Sequence, residues 1–354
     1  MHMIEDLIGD KSQPVCEKGA FVFAAIGLDH GHINNMCKGL LKEGATLKWV
    51  YDQDEEKIKR FRKMFPDVQL ASSKEEILQD PKVHLVATAI IPSERYRLGI
   101  ETMEHGKDFF TAKTPFTSLT QLDEVRLKVK ETKQKYAVYY SERLGVESAI
   151  FAGRLIQEGA IGRVIQVLGM GPHRLRLGTR PDWFFKKEQY GGILCDIGSH
   201  QIEQFLFYTG AKDAQVVHSK VGNYNLKEYP EFEDFGDATL IADNGATNYF
   251  RVDWLTPDGL GTWGDGRTFI LGTEGYIELR KNIDIAKDST TDHLYLVNDE
   301  EERYINLKGK VGTPYFGELI LDCLNRTENA MSQEHAFKAA ELCLRAQEQA
   351  VQIE

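Results

Sequence analysis

The sequence has no run of apolar residues approaching the roughly 18 that a membrane-spanning helix needs. It also lacks CxxC and any Cys/His spacing suited to a structural zinc. Its five cysteines, Cys16, Cys37, Cys195, Cys323 and Cys343, are scattered, which is the pattern of reduced thiols in a reducing compartment and not of a disulfide framework. Basic charge is in short supply: 43 Lys and Arg against 54 Asp and Glu leave a formal net charge of −11, which disfavours a nucleic-acid backbone as partner. The opening MHMIEDLIGD is acidic where a secretory leader is basic, and its apolar stretch is too short for one. A cytoplasmic protein is expected, with no metal and with neither membrane nor nucleic acid among its partners.

With 42% hydrophobic residues in 354, the chain can bury one large or two ordinary cores, and two textures divide it. From Phe21, short apolar runs alternate with helical periodicity, as in a parallel sheet covered by helices. Strands are expected from Phe21 to Ile26, Thr46 to Tyr51, Val83 to Ile90, Asp108 to Thr111 and Ala137 to Tyr140. Between them, Ile33, Met36, Cys37, Leu40 and Leu41 mark one face of a helix, and Ile58, Phe61 and Phe65 that of a second. Ser73 with Glu76 is the capping box of a third; a fourth starts at Pro92 and stops at Gly106, and a fifth runs from Leu119 to Lys133. The pattern predicts an α/β domain with a doubly wound parallel sheet.

Beyond Ser141 and one helix ending at Gly159, strand-like segments follow one another with few helices: VIQVLGM, DAQVVHSKV, ATLIAD, TNYFRVDW, RTFILGT and YIELR. They predict an α+β domain with a large, mainly antiparallel open sheet; Pro314 to Ile353 returns to helical periodicity. The expected organisation is an N-terminal extension over 1–20, a dinucleotide-binding Rossmann domain over 21–142, and a substrate and oligomerisation domain over 143–354 whose last helices pack back on the first domain. A broad sheet with helices on one side leaves a second apolar face, so a homodimer or homotetramer is expected.

The turn Gly27-Leu28-Asp29-His30-Gly31-His32 lies between a buried strand and an amphipathic helix, where the free N–H groups of a helix start meet a dinucleotide pyrophosphate. It departs from GxGxxG. Gly27 supplies the tight turn, but Asp29 and His32 stand at the second and third glycine positions, and Gly31 falls one place early. Asp52, 21 residues after Gly31 at the end of the second strand, is where a carboxylate accepts hydrogen bonds from the adenosine ribose. NAD is the expected cofactor, with NADP possible through the neighbouring Lys57 and Lys59.

Lys113 follows the strand that begins at Asp108, and open α/β sheets place their ligands at the carboxyl ends of strands. A lysine there reaches a substrate oxygen or the nicotinamide ribose. In GGILCDIGSH, Asp196 and His200 are four apart and share one face of a helix, after a flexible Gly191-Gly192 pair. GPHRLRLGTRPDWFF offers His173, Arg174, Arg176, Arg180 and Trp183 for stacking on and hydrogen-bonding a substrate, with His173 and Trp183 the substrate candidates; an acidic group on the substrate is the alternative reading of the arginines. A helix-bracing role for the Asp-His pair and a solvated basic loop are the structural alternatives.

Together, the strand-turn-helix with its terminal Asp52, the lysine after a sheet strand and GG-x-x-x-D-x-G-x-H resemble the Gfo/Idh/MocA (glucose-fructose oxidoreductase/inositol dehydrogenase) family. The likeness runs from about Phe21 to the C-terminus, and Arg154 to Val164 (RLIQEGAIGRV) is similar to the family's link into its substrate domain. The resemblance implies an NAD(P)-dependent oxidoreductase that exchanges hydride with a secondary hydroxyl or ketone of a sugar, polyol or glycoside. It maps the family's EKP lysine to Lys113, also a cofactor contact, and its Asp and His to Asp196 and His200. His200 would exchange the hydroxyl proton, Lys113 would hold the substrate oxygen and Asp196 would orient the site electrostatically. Ile91 and Pro92 are further expected cofactor contacts, although Ile90-Ile91-Pro92 stands where the family has Thr-Pro-Asn and Arg95 where it often has His. Ala112-Lys113-Thr114 replaces Glu-Lys-Pro, with Pro115 displaced by one. An NAD(P)-sensing regulator of the same fold without turnover, and a reductase of a non-sugar substrate, stand as alternatives.

Overall fold

The structure, a computed structural model, describes residues 7–9 and 13–353, so the expected extension over 1–20 falls partly outside the described residues. In the first part of the chain β1 (Val22–Ile26), α1 (His32–Lys42), β2 (Thr46–Tyr51), α2 (Glu55–Met64), β3 (Gln69–Leu70), α3 (Lys74–Gln79), β4 (Leu85–Thr88), α4 (Arg95–Glu104), β5 (Asp108–Ala112), α5 (Leu119–Thr132) and β6 (Tyr136–Tyr139) alternate. The six strands form a parallel sheet in the order β3-β2-β1-β4-β5-β6. β1, β4 and β5 are buried along their whole length, which is why they read as unbroken apolar runs. β3 has no such signature: it is two exposed residues paired with β2 at the edge. Local chemistry starts the helices where expected. Ser73 caps α3 by accepting from Glu76 N at 3.3 Å, and the Glu76 carboxylate reaches back to Ser72 N at 2.7 Å.

The second part runs α6 (Ser141–Leu144), α7 (Glu147–Gln157), β7 (Val164–Pro172), α8 (Lys187–Tyr190), α9 (Ile193–Asp196), α10 (Gly198–Thr209), β8 (Ala214–Gly222), β9 (Phe235–Ala242), β10 (Thr247–Asp253), β11 (Arg267–Gly272), β12 (Gly275–Arg280), β13 (His293–Asn298) and β14 (Glu302–Asn306). The tail holds α11 (Tyr315–Asn325), α12 (Gln333–Glu348) and β15 (Val351–Ile353). Nine strands make one sheet, β14-β13-β12-β11-β7-β10-β9-β8-β15, antiparallel except for β7 with β10 and β8 with β15. The tail is therefore not helical to its end, as its periodicity predicts. Val351–Ile353 pairs with Lys220–Gly222, because the free edge of β8 offers backbone partners that a last helical turn would lack.

The described residues fall into two compact units, one of 13–139 with 314–337, the other of 7–9, 140–313 and 338–353. In the parallel-sheet unit α11 lies against the core: the Phe316 ring is 5.1 Å from Tyr139 and 6.3 Å from Phe110. In the other unit α10 covers β7, β9 and β10, and α7 covers β12 and β13. The opposite face of that sheet stays open, with Leu168, Met170, Ile241 and Tyr249 between 36% and 45% exposed. Register sets Leu168 beside Tyr249, so these side chains form a patch and are not scattered.

At the carboxyl edge of the parallel sheet one side chain holds two loops. Arg95, 1% exposed, donates through Nε to Ile90 O (2.8 Å) and through Nη1 to Ala112 O (2.9 Å) and Thr114 O (2.8 Å). The planar guanidinium thus ties the loop after β4 to the loop after β5. Arg95→Met is expected to lower unfolding free energy by about 3 kcal/mol, since buried carbonyls left without a donor cost about 1–3 kcal/mol each. Arg95→Lys, a point charge without the fork, is expected to recover only part of this. Urea denaturation of both variants measures the difference; full stability of Arg95→Met would show that the clamp does not hold the loops.

Candidate active site

β1 ends at Ile26 and the chain turns at Gly27, whose φ of +77° disfavours any side chain. A Cβ there would lie 2.6 Å from Ile90 Cβ and 3.2 Å from Ile90 Cα, so the loop after β4 presses on bare backbone. Gly27 N donates to Tyr51 O (3.0 Å), Ala89 N to Gly27 O (3.1 Å) and His30 N to Ala89 O (2.9 Å), which fixes the turn against both neighbouring strands. α1 then begins at His32, whose N–H is taken by His30 Nδ1 at 3.2 Å, while Ile33 N bonds His30 O at 3.3 Å and Asn34 N bonds Gly31 O at 3.2 Å. Gly31 is different: its φ of −62° is ordinary and its surroundings are open, so nothing there demands glycine.

Asp52, just past β2, braces this turn. Its Oδ2 accepts from Leu28 N at 2.7 Å and its Oδ1 from Asp54 N at 2.8 Å. Lys57 of α2 donates to Asp29 Oδ1 at 2.6 Å and stands 3.9 Å from Asp52 Oδ1. Burial alone would lower the Lys57 pKa, but the Asp29 and Asp52 carboxylates outweigh it and raise it, so the ammonium persists. That charge offsets Asp29, the carboxylate standing where the dinucleotide motif has a glycine. A cavity of about 890 Å³ opens here, lined by Gly27, Asp29, Tyr51, Asp52, Lys57, Ile90, Ile91 and Arg97 among others. Its volume lies in the range of small-molecule sites. Bare backbone at Gly27, the start of α1 beside it and a carboxylate at the end of β2 fit a dinucleotide.

Of the expected cofactor contacts, Gly27, Asp29, Asp52 and Ile91 line this cavity, and Leu28 takes part through its amide. His30 and His32 stand edge to face at 4.0 Å within the turn, Gly31 is exposed and Pro92 is buried at the start of a 3-10 turn. Lys113 lies outside the lining, 7% exposed past the end of β5. The Lys113-Thr114 peptide is cis, and Arg95 holds the carbonyls on either side of Lys113.

In the nine-stranded unit, Gly191 and Gly192 have φ of +89° and +87°. They are required by the backbone and are not a flexible pair, since a Cβ on Gly192 would lie 2.3 Å from Gln347 Cδ. The free amides at the start of α9 are capped from a distance: Ile193 N donates to Glu233 Oε2 (2.8 Å) and Leu194 N to Gln347 Oε1 (3.0 Å). Asp196 and His200 do not share one continuous helix, as their spacing predicts. His200 N bonds Ile197 O at 3.1 Å, and the Ser199 hydroxyl donates to Asp196 O at 3.2 Å. The i to i−4 bond that would join the two residues is thereby replaced, so Asp196 ends α9 and His200 sits in the first turn of α10.

His200 is 2% exposed, with the Tyr140 ring at 6.4 Å. Beneath it lies a charged cluster: Lys281 Nζ donates to Gln204 Oε1 at 2.8 Å and contacts Glu142 Oε2 at 3.3 Å. Burial pushes the Glu142 carboxyl up, but the charges of His200, Lys281 and His173 outweigh it and bring it down to about 2. Burial lowers Lys281, against the pull of Glu142.

His173 Nε2 is 3.6 Å from Glu142 Oε1, and its ring lies 4.6 Å from Trp263 and 5.3 Å from Trp254. The Arg180 guanidinium stacks 4.5 Å over Phe184 and 4.8 Å over Trp254; burial lowers its pKa and Asp196 opposes the shift. Trp183 adds a partly exposed ring 5.8 Å from Phe184. Arg174 is committed to structure through Pro257 O (2.8 Å) and Leu260 O (2.6 Å), and Arg176 is exposed. Glu142, Lys281, Gln204, Trp254 and Trp263 escape the sequence reading. Glu142 stands three residues after the end of β6, within α6, and nothing in the spacing ties it to a lysine 139 residues away.

Residues 23–140 match the family described as oxidoreductases with an NAD-binding Rossmann fold, and residues 151–278 match the GFO/IDH/MocA C-terminal domain. The crystal structure of a protein from Erwinia carotovora atroseptica SCRI1043 described as an oxidoreductase is 54% identical, with a TM-score of 0.92 over 94% of this chain and 100% of that one. The scyllo-inositol 2-dehydrogenase (NADP(+)) of Bacillus subtilis is 25% identical over 51% of this chain and 51% of its own length. The D-xylose dehydrogenase of Paenarthrobacter nicotinovorans is 24% identical over 42% of this chain and 39% of its own. The chain thus spans about half the length of these two relatives. It belongs to the Gfo/Idh/MocA oxidoreductase family, with that family's NAD-binding Rossmann fold in the parallel-sheet unit and its C-terminal domain in the nine-stranded one.

Proposed function

We propose that the protein is an NAD(P)-dependent dehydrogenase that exchanges hydride with a secondary hydroxyl or ketone of a sugar, polyol or glycoside. The observation that carries this reading is His200, a buried imidazole in an aromatic-walled polar cluster with an ionised carboxylate beneath it. The inositol and xylose dehydrogenases among its relatives support the substrate class. The bound nicotinamide supplies the hydride chemistry. His200 takes the hydroxyl proton, for which an imidazole titrating near neutrality is suited. Lys113 holds the substrate oxygen, and Asp196 stabilises and orients charge. His173, Trp183, Trp254 and Trp263 offer ring faces and one polar edge to a sugar.

If these roles hold, His200→Ala and Lys113→Ala lower turnover by about 100- to 10,000-fold while melting temperature changes little, and Asp196→Asn lowers it less. Turnover of a polyol and aldose panel, followed at the NADH absorbance beside thermal denaturation, checks this. Destabilised but fully active variants would assign the three residues to folding instead.

Asp52 favours NAD, because its carboxylate repels a 2′-phosphate, while Lys57 beside it reduces the penalty. The wild type is expected to bind NAD more tightly than NADP, and Asp52→Ala to narrow the gap. Fluorescence titration of both nucleotides measures it; tighter NADP binding by the wild type refutes the preference.

The open sheet face bearing Leu168, Met170, Ile241 and Tyr249 is assigned to contact with a second copy of the chain, since a patch of this kind is costly in water. Light scattering at micromolar concentration is expected to report a dimer or tetramer, and Leu168→Glu to shift it toward monomer. A monomeric wild type counts against the assignment.

A further inference from the structure

The charges beneath α10 are arranged around one turn of that helix. Lys281, immediately past β12, has a side chain 1% exposed and is bound to Glu142 Oε2 and Gln204 Oε1. Gln201 Nε2 reaches the same carboxylate oxygen at 3.3 Å, and Gln204 Nε2 donates to His200 O at 2.7 Å. The turn carrying His200 is thus tied to a single carboxylate-ammonium pair. The other oxygen, Glu142 Oε1, is buried, accepts no hydrogen bond among the described residues and faces His173 Nε2 at 3.6 Å. A buried ion pair contributes little more to stability than an apolar pair of the same volume, because desolvation offsets the attraction. An oxygen left without a donor makes the folding argument weaker still, and directs attention to the two imidazoles whose charge acts on this carboxylate, His200 first and then His173.

We propose that Glu142 is the positioning residue of the acid-base step: anchored by Lys281 and Gln201, it fixes the His200 turn of α10 and sets a negative charge against the imidazolium formed there. The proposal rests on His200 being the acid-base group. In the oxidative direction the substrate O–H bond breaks and an N–H bond forms on His200, the oxygen's electron pair closes the C=O bond, and the hydrogen on that carbon would leave as hydride to a bound nicotinamide. His200 gains a positive charge at that moment, in a place with little water, and Glu142 supplies the opposite charge without moving.

A relay in which Glu142 itself carries the proton is the competing picture. Against burial, the cations around Glu142 hold its carboxyl well below the usual carboxylate range, so the carboxylate acts through its field and not as a carrier. The other charged groups around His200 in this unit are accounted for. Asp196 closes α9 with Arg180 against it, and His173 follows β7. Arg143 of α6 and Glu203 of α10 bind each other at 2.7 Å, and Tyr140 precedes α6. Of the two carboxylates, Glu142 is the one anchored to the helix turn of His200.

The test is the titration of His200 in the full-length protein, followed by NMR of ring-labelled histidine and assigned with His200→Ala. Glu142→Gln is expected to lower the His200 midpoint by about 1 to 2 pH units, the usual effect of losing a nearby opposite charge. The limb of the kcat/KM pH profile set by His200 should move with it. Because Glu142→Gln leaves Lys281 uncompensated and the protein could fail to fold, Glu142→Gln/Lys281→Met is measured beside it. The double variant is expected to fold and still show a fall of about half a unit or more, since His200 is the largest of the charges that act on Glu142. Midpoints within about 0.2 unit of the wild type in every variant that folds would overturn the proposal and leave a structural ion pair. The two readings fail differently. An unmoved midpoint beside an inactive His200→Ala removes only the positioning role, whereas a fully active His200→Ala removes the acid-base reading and this proposal with it.

Discussion

A parallel sheet gathers the ends of its strands on one edge, and the chain there must turn, satisfy its backbone groups and still leave room for a ligand. In this protein the Arg95 guanidinium meets much of that demand, taking the carbonyls of Ile90, Ala112 and Thr114 into one buried fork. Two loops that never pair with each other are held together. One of them presses on Gly27, where a side chain has no room; the other carries Lys113. The same edge balances its own charge, with Lys57 answering Asp29 and Asp52 beside the cavity.

The nine-stranded unit solves a different problem, that of holding ionised groups away from water. Burying a carboxylate or an ammonium is costly unless each finds hydrogen bonds and an opposite charge. Lys281 and Gln201 both reach Glu142 Oε2, and Lys281 also reaches Gln204, from three separate parts of the chain. Glu233 and Gln347 do the same for the amides that open α9. The break between α9 and α10 follows from this anchoring: the first short helix is capped by residues far along the chain, and the second turns on the bond from His200 N to Ile197 O. An aromatic wall of Trp254, Trp263 and Phe184 then encloses His173 and Arg180.

Much of this was legible from local pattern. The strands buried on both faces announced themselves as apolar runs, α1 by its spacing of Ile33, Met36, Cys37 and Leu40, and Asp52 by its distance from the turn. β3 and β15 were not legible, because two or three residues at a sheet edge are strands only by virtue of the neighbour they pair with. Gly191-Gly192 read as flexible for a related reason: positive φ and the approach of Gln347 are properties of the folded backbone. The Asp196-His200 spacing suggested one helix face, and the hydrogen bonds that interrupt it depend on Ser199 and on distant caps.

The sequence by itself determined the alternation of buried strands and amphipathic helices, the change to an antiparallel texture after Ser141, and the residue types able to hold a nucleotide or move a proton. These are consequences of periodicity and of side-chain chemistry, which act over a few residues and survive in a one-dimensional reading. Only the tertiary structure decided that Arg95 is a buried clamp, that Lys57 neutralises Asp29, and that Glu142 and Lys281 meet beneath His200. Those outcomes turn on which charges leave water together, and the partners of a desolvated charge are chosen by packing between elements far apart in the chain.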